Sequence, residues 1–332
     1  MKKNKVVCIG EALIDRIRNK SNQGSTDFLG GAPANVACAL RKLKVNSLFI
    51  GRLGTDGYGK KFITQFNKSK VNVDFLQLDN DLSTRVINVG RDEFGDRFFS
   101  GFEESSNSCF ADEALSIELI KKELPNLEKY FLGSKYLVCG TIVLSSPKSK
   151  ETIFFLLEQA NKFDVKVIID LNWREVFWDY SIYSSEISKT QRVNLIKKFL
   201  NHAHVLKLAK EEATMFFGHD NPLLISQQMS KRPDVIITDG KNPVIWYVNG
   251  LQGITQTSHS NKIVDTTGAG DAFLAGLISK FITSGYPSNR LEIENCIKFA
   301  NVCGLLTSLG EGAIEQQPDY EKVNKFLGSL IS

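Results

Sequence analysis

The chain has 332 residues, 42% hydrophobic and 23% charged, enough to bury a substantial core as one large domain or a domain with an appendage. Lysine and arginine total 41 against 37 acidic residues, and a net charge of +4 spread over so large a surface makes no basic stripe for nucleic acid. No stretch approaches a membrane span, and the apolar run after Met1-Lys2-Lys3-Asn4-Lys5 is too short for a signal peptide, so the expected location is the cytoplasm.

Short apolar runs alternate with stretches of helical spacing. The first strand is expected over 6–9, followed by a helix over 33–44 with proline near its first turn, a strand over 47–50 and a helix over 56–68. Further on come a strand over 136–139, a helix over 148–162, a strand over 165–169, a helix over 190–201, and strands over 205–208 and 235–238. One more helix begins near Ala269 and another covers 289–308. This alternation predicts βαβ units with right-handed crossovers and a mostly parallel sheet covered by helices. Two regions break the rhythm. Residues 13–29 read as two short strands, and the stretch between Leu82 and Phe110 as a hairpin in which Arg85-Val86-Ile87-Asn88-Val89 turns at 92–96 into Arg97-Phe98-Phe99-Ser100-Gly101-Phe102. Together they predict a small β appendage whose aromatic residues cover a ligand or meet a second subunit, the alternative being a surface hairpin without a role.

Several features exclude other chemistries. Gly54-Thr55-Asp56-Gly57-Tyr58-Gly59-Lys60 has P-loop spacing, but Lys61 follows where Ser or Thr would hold Mg²⁺, and Asp56 brings a negative charge into the cradle. It reads as a turn entering a helix. Gly10-Glu11-Ala12-Leu13-Ile14-Asp15 lacks the glycine pattern that a dinucleotide pyrophosphate needs. The six cysteines form no C-x-x-C pair, and His202 and His204 lack a convincing third ligand, so neither disulfides nor zinc are expected.

The most informative segment is Val264-Asp265-Thr266-Thr267-Gly268-Ala269-Gly270-Asp271-Ala272-Phe273. Phe273, Leu274, Leu277, Ile278 and Phe281 recur at helical spacing, so the first turn of the helix exposes N–H donors at its positive end. Gly268 and Gly270 let a phosphate approach that backbone closely. Asp271 would repel the phosphate unless it had another task, and accepting a proton from a hydroxyl that attacks the terminal phosphorus of ATP is such a task. The alternative is an ordinary helix start, with Thr267 as the cap and Asp271 complementing the dipole. In Gly30-Gly31-Ala32-Pro33-Ala34-Asn35, paired glycines admit a ligand to the backbone and Asn35 offers both a donor and an acceptor; the alternative is a glycine-rich turn with Asn35 capping its own helix. Asp170-Leu171-Asn172-Trp173-Arg174 closes a buried strand, where open α/β sheets place ligands. Arg174 suits a phosphate or substrate oxygen there, or else pairs with Asp170.

These strings resemble the signatures of the ribokinase-like carbohydrate kinases, also called the PfkB family, and the likeness extends over nearly the whole chain. The resemblance implies a three-layer α/β/α sandwich with a mostly parallel central sheet, one domain over 1–332, and a β-sheet lid inserted at about 13–31 and 83–104. It implies that Asp271 is the base and that Gly268, Ala269 and Gly270 form the anion seat. Asp15, Gly30, Gly31, Asn35, Phe99 and Arg174 would bind the sugar. Asn172, Lys207, Thr238, Gly240 and Asn301 would serve the nucleotide with Gly268 and Gly270. Glu212 matches an element that organises Mg²⁺ indirectly, with Ala209 where the family commonly has Asn or Ser. Pro243 stands where the nucleotide-side turn usually ends in glycine. Asp265 and Thr267 match positions that hold a monovalent cation, so ATP, Mg²⁺ and K⁺ are the expected cofactors.

Gly31-Ala32-Pro33-Ala34-Asn35 and the D-x-N-x-R string look most like the fructokinase branch, which implies conversion of D-fructose to fructose 6-phosphate. Acidic Glu103 and Glu104 argue against a sugar that is already phosphorylated. The alternatives are a kinase of 2-keto-3-deoxygluconate, ribose or a nucleoside, and a non-catalytic sugar-binding relative. A lid of this type often pairs with its twin, so a homodimer is expected, with small-molecule sugar and ATP as the other partners.

Overall fold

In the computed structural model, which describes residues 5–18, 24–91, 97–102, 109–179 and 188–329, the strand Lys5–Ile9 sends alternate side chains to opposite faces. Val6 and Cys8 join one buried cluster, and Val7 and Ile9 join another. The strand reads as a continuous apolar run because both faces are covered. One cluster packs helices Ala32–Lys42, Ala269–Thr283 and Arg290–Thr307 against the sheet. The other packs Pro147–Lys162 and Lys189–Leu200. The sheet is thus the middle layer of three.

Among the described residues its strand order is Leu251–Thr255, Asn242–Val248, Asp234–Asp239, Val205–Ala209, Lys166–Asp170, Ser134–Cys139, Lys5–Ile9 and Asn46–Ile50. The last six of these pair in parallel, where the apolar runs predict strands. The first two form an antiparallel edge hairpin that the reading above lacks. Its signal is present all the same: Asn249-Gly250, at φ 49° and 76°, has the paired positive φ of a type I′ turn between strands. Pro243 enters this hairpin at a register shift, where Pro243 and Val244 oppose Thr238, and a bulge asks no ladder N–H of proline.

The two segments that break the rhythm meet in a separate four-stranded sheet, ordered Ser25–Gly30, Leu13–Arg18, Val86–Arg91 and Arg97–Phe102. The turn at 92–96 and Glu103 and Glu104 lie outside the described residues. The glycine-rich turn with P-loop spacing ties this sheet to the body. Asp56 Oδ1 accepts the Gly59 N–H at 2.8 Å, capping helix Gly57–Ser69, while Oδ2 accepts the Thr84 N–H at 2.6 Å. A Cβ on Gly59 would lie 1.9 Å from the Gly54 carbonyl oxygen, so the turn excludes any larger residue there. Tyr58, in the first turn of the same helix, donates to Asp27, whose carboxylate also pairs with Arg16 at 2.7 Å. Asp56→Ala strips acceptors from two N–H groups and is expected to lower stability by ~1–3 kcal/mol. The measurement is the urea midpoint at unchanged slope; a midpoint equal to the parent's would remove Asp56 from this role. No helix among the described residues is long and apolar enough to cross a membrane.

Candidate active site

Helix Ala269–Thr283 starts from Gly268, whose φ of 73° is left-handed and whose Cβ, if present, would sit 2.6 Å from Ala313 Cβ. Among the described residues no side chain caps this end. The capping role considered for Thr267 is therefore corrected: its N–H and Oγ1 donate backwards to Asp265 Oδ1 at 3.0 and 2.8 Å. The reason is that Asp265, 4% exposed, must collect donors, and its Oδ2 takes the Gly312 N–H at 3.1 Å as well. The helix tip is left without a competing side-chain acceptor, the condition for an anion seat. A Cβ on Gly270 would lie 3.1 Å from Lys207 Nζ, so glycine there keeps the ammonium close to the seat.

A cavity of about 400 Å³ opens on one side of this tip. The N-terminal segments contribute Asp15, Gly31 and Asn35 to its wall, and the small sheet adds Ile87 and Val89. Asp170, Asn172, Arg174 and Lys207 come from the central strands and the segment beyond one of them, and Thr267, Gly268, Gly270 and Asp271 from the helix start. Gly30 backs the wall: a Cβ on it would fall 2.4 Å from Asp15 Oδ2. Asn35 Nδ2 donates to Asp271 Oδ2 at 2.8 Å, which joins two residues 236 positions apart. The Oδ1 of Asn35 is buried without a partner among the described residues, an acceptor suited to a ligand hydroxyl. Burial pushes the Asp271 carboxyl up to about 6, against the lowering effect of the Asn35 hydrogen bond.

Asp170 pairs with Lys207, whose Nζ lies 2.9 Å from Oδ2 and 3.1 Å from Oδ1. Burial works against the ammonium, but the carboxylates of Asp170 and Glu212 hold its pKa above the ordinary lysine value. Arg174 Nη1 donates to the Trp173 carbonyl at 2.8 Å. Asn172 adopts φ 43°, a left-handed geometry that asparagine tolerates better than most residues. Glu212 ties the segment beyond one strand to the end of the next, Oε1 accepting the Trp173 N–H at 2.7 Å and Oε2 the Ala209 N–H at 2.8 Å. No group of three His, Cys, Asp or Glu among the described residues is placed to hold a metal ion.

A second cavity of about 700 Å³ lies on the other side of the tip, with Thr238, Gly240, Phe273 and Asn301 in its wall. Thr266 and Gly270 line both cavities, so the two meet at the helix start. Asn301 Nδ2 donates to the Gln256 carbonyl at 3.3 Å.

Sequence reasoning missed several site residues. Glu11 lines the first cavity, its Oε1 accepts the Ala32 N–H at 3.0 Å, and burial pushes its carboxyl up to about 8. A carboxylate directly after an apolar strand was the available signal. Phe177 also lines this cavity, and 257–261 line the second; neither stretch has a distinctive spacing. Gln317 Nε2 donates to the Asn35 carbonyl at 2.9 Å, a contact spanning 282 positions that no local pattern announces. Phe99 pairs with Val89 in the small sheet, and its side chain lies outside the described residues.

The family model described as pfkB family carbohydrate kinase matches residues 3–319. A fructokinase of Salmonella typhimurium is 29% identical over 330 residues, covering 97% of this chain and 98% of the relative. The crystal structure of a fructokinase from Vibrio cholerae O395 in a fructose, ADP and calcium ion bound form superposes with a TM-score of 0.80 at 26% identity, covering 98% of this chain and 99% of that one. A fructokinase with bound ATP from Xylella fastidiosa shares the fold with a TM-score of 0.86 at 24% identity, covering 99% of this chain and 100% of that one.

Proposed function

The chain belongs to the pfkB family of carbohydrate kinases and is a phosphotransferase acting on a sugar hydroxyl, and from that premise we propose that it converts D-fructose and MgATP to fructose 6-phosphate and ADP. The observation that carries the reading is the meeting of two cavities at an uncapped helix start with Asp271 in the wall of one of them. The sugar occupies the first cavity and ATP the second, with the γ-phosphoryl at the tip. Asp271 takes the proton of the primary hydroxyl as its oxygen bonds to the γ-phosphorus and the bond to the β–γ bridging oxygen breaks. Asn35 orients Asp271. Lys207 and the helix N-terminus offset charge on the transferring group.

Asp15, backed by Gly30 and beside Gly31, accepts hydrogen bonds from sugar hydroxyls. Arg174 and Asn172 border sugar and phosphate, and Thr238, Gly240 and Asn301 serve the nucleotide. Mg²⁺ bound to the triphosphate would offset part of its charge, and Glu212 would serve it indirectly, through the Trp173 and Ala209 N–H groups it holds. Asp265 and Thr267 are assigned to a monovalent cation beside the tip, and the small sheet to a lid through which two copies pair in the cytoplasm. The activity of the fructokinase relatives supports fructose as the acceptor.

A coupled ADP-release assay over a sugar panel tests the reading: fructose is expected to give the highest kcat/KM. A protein whose melting temperature rises with sugar while no ADP forms would be a binding relative instead. Asp15→Ala is expected to raise sugar KM by about 10-fold or more with ATP KM unaltered, since a hydroxyl acceptor is lost from the bound state. An unchanged KM for every accepted sugar removes Asp15 from the pocket.

A further inference from the structure

Arg85 takes no part in the chemistry above, yet it is 2% exposed. Its Nε lies 2.9 Å from Asp112 Oδ2, and its Nη2 3.4 Å from Glu113 Oε2. The guanidinium carbon is 4.8 Å from the ring centres of Phe102 and Phe110 and 4.9 Å from that of Phe177. The rings also touch one another edge-on, Phe102 against Phe110 at 5.7 Å and against Phe177 at 5.2 Å. A planar, weakly hydrated cation can stack on aromatic faces while its edge meets carboxylates; a lysine ammonium has no plane to do so.

These contacts belong to separate parts of the fold. Phe102 ends the strand Arg97–Phe102 of the small sheet, and Phe177 lines the first cavity from helix Val176–Asp179. Asp112 and Glu113 lie on the turn Ala111–Ala114, which Ser149 fastens to helix Pro147–Lys162 by donating to the Asp112 carbonyl at 2.7 Å. The Arg85 carbonyl accepts the Ile14 N–H at 2.9 Å, and the next residue begins the strand that carries Ile87 and Val89 into the cavity wall. A buried ion pair is weak evidence for stability, because well-packed hydrocarbon often serves a core as well or better. What a charged plane adds is orientation, fixed at once by two carboxylates and three rings.

We propose that Arg85 is a positioning residue for the sugar: its guanidinium sets Phe177 and the root of the small sheet, so that Phe177, Ile87 and Val89 present a fixed wall to the bound substrate. The proposal rests on the sugar-kinase reading above and concerns substrate binding rather than phosphoryl transfer.

The test compares Arg85→Lys with the parent enzyme in steady-state kinetics against fructose and against ATP, below the melting temperature of both. Loss of the plane should raise sugar KM about 10-fold or more while ATP KM and saturating kcat stay within about threefold, since displacement of a binding wall by an ångström is costly. A folded Arg85→Lys enzyme with sugar KM within about twofold of the parent, or one that loses kcat alone, overturns the proposal. If Arg85→Lys does not fold, Phe102→Leu removes one ring and keeps both ion pairs. It should raise sugar KM about three- to tenfold, and an unchanged value overturns the proposal equally. A parent enzyme that turns over no sugar defeats the sugar-kinase reading and this inference with it; an active parent matched by its variants defeats this inference alone.

Discussion

Replacing Asp271 with Asn is expected to lower kcat by about 10²- to 10⁴-fold, the scale of a general acid–base contribution, with ATP KM nearly unchanged. The amide keeps the shape and still meets Asn35, so what is lost is the capacity to accept a proton. The parent enzyme should show the same group in its pH profile. Burial holds the Asp271 carboxyl at about 6, so kcat/KM should fall as pH drops below about 6, roughly tenfold per unit.

The stability consequence has the opposite sign from a salt-bridged carboxylate. The folded pKa lies above the unfolded value near ~4, so the folded state binds more protons between the two. The contribution of Asp271 to stability is most favourable below that unfolded value and becomes a penalty once pH rises past about 6. Asp271→Asn removes the penalty, and its melting temperature at pH 7.5 should equal or exceed the parent's. Near-normal turnover in this variant would take Asp271 out of the reaction, whereas a lowered melting temperature would mean that the kcat loss reports misfolding.

Lys207→Met is the second large effect. Lys207 and Asp170 are 7% and 4% exposed, and removing the ammonium leaves Asp170 buried beside Glu212 with its positive partner gone. Stranding one half of a buried pair costs about 3–5 kcal/mol, so the urea midpoint should fall sharply. Asp170→Asn in the same chain should recover a large part of that loss, because the stranded charge disappears with the carboxylate. Activity should not return with stability: in the proposed reaction Lys207 offsets charge at the anion seat, so the double variant stays slow. A single variant as stable as the parent would show that solvent already screens the pair. A stable, fully active double variant would remove Lys207 from phosphoryl transfer.

Much of this molecule was legible in one dimension. The parallel strands and long helices announce themselves because burial on both faces makes a strand apolar along its whole length, and burial on one face makes a helix apolar at 3.6-residue spacing. Gly268 and Gly270 were readable because backbone conformation and close approach are local needs. The edge hairpin could have been read from Asn249-Gly250, but its strand Leu251–Thr255 is largely exposed and carries a weak apolar pattern.

The residues alone therefore determined the layered α/β architecture, the glycine-flanked helix start and the family to which its chemistry belongs, since each depends on neighbours in sequence. That no side chain among the described residues caps this start was decided by the tertiary structure, in which Thr267 donates back to Asp265. Only the tertiary structure decided which charges meet: Asn35 on Asp271, Lys207 on Asp170 rather than Arg174, Gln317 on the Asn35 carbonyl, and Arg85 among three rings. Those pairings join elements far apart along the chain. A carboxylate's pKa follows from the desolvation and partners that the assembled fold provides, which no spacing of residues encodes.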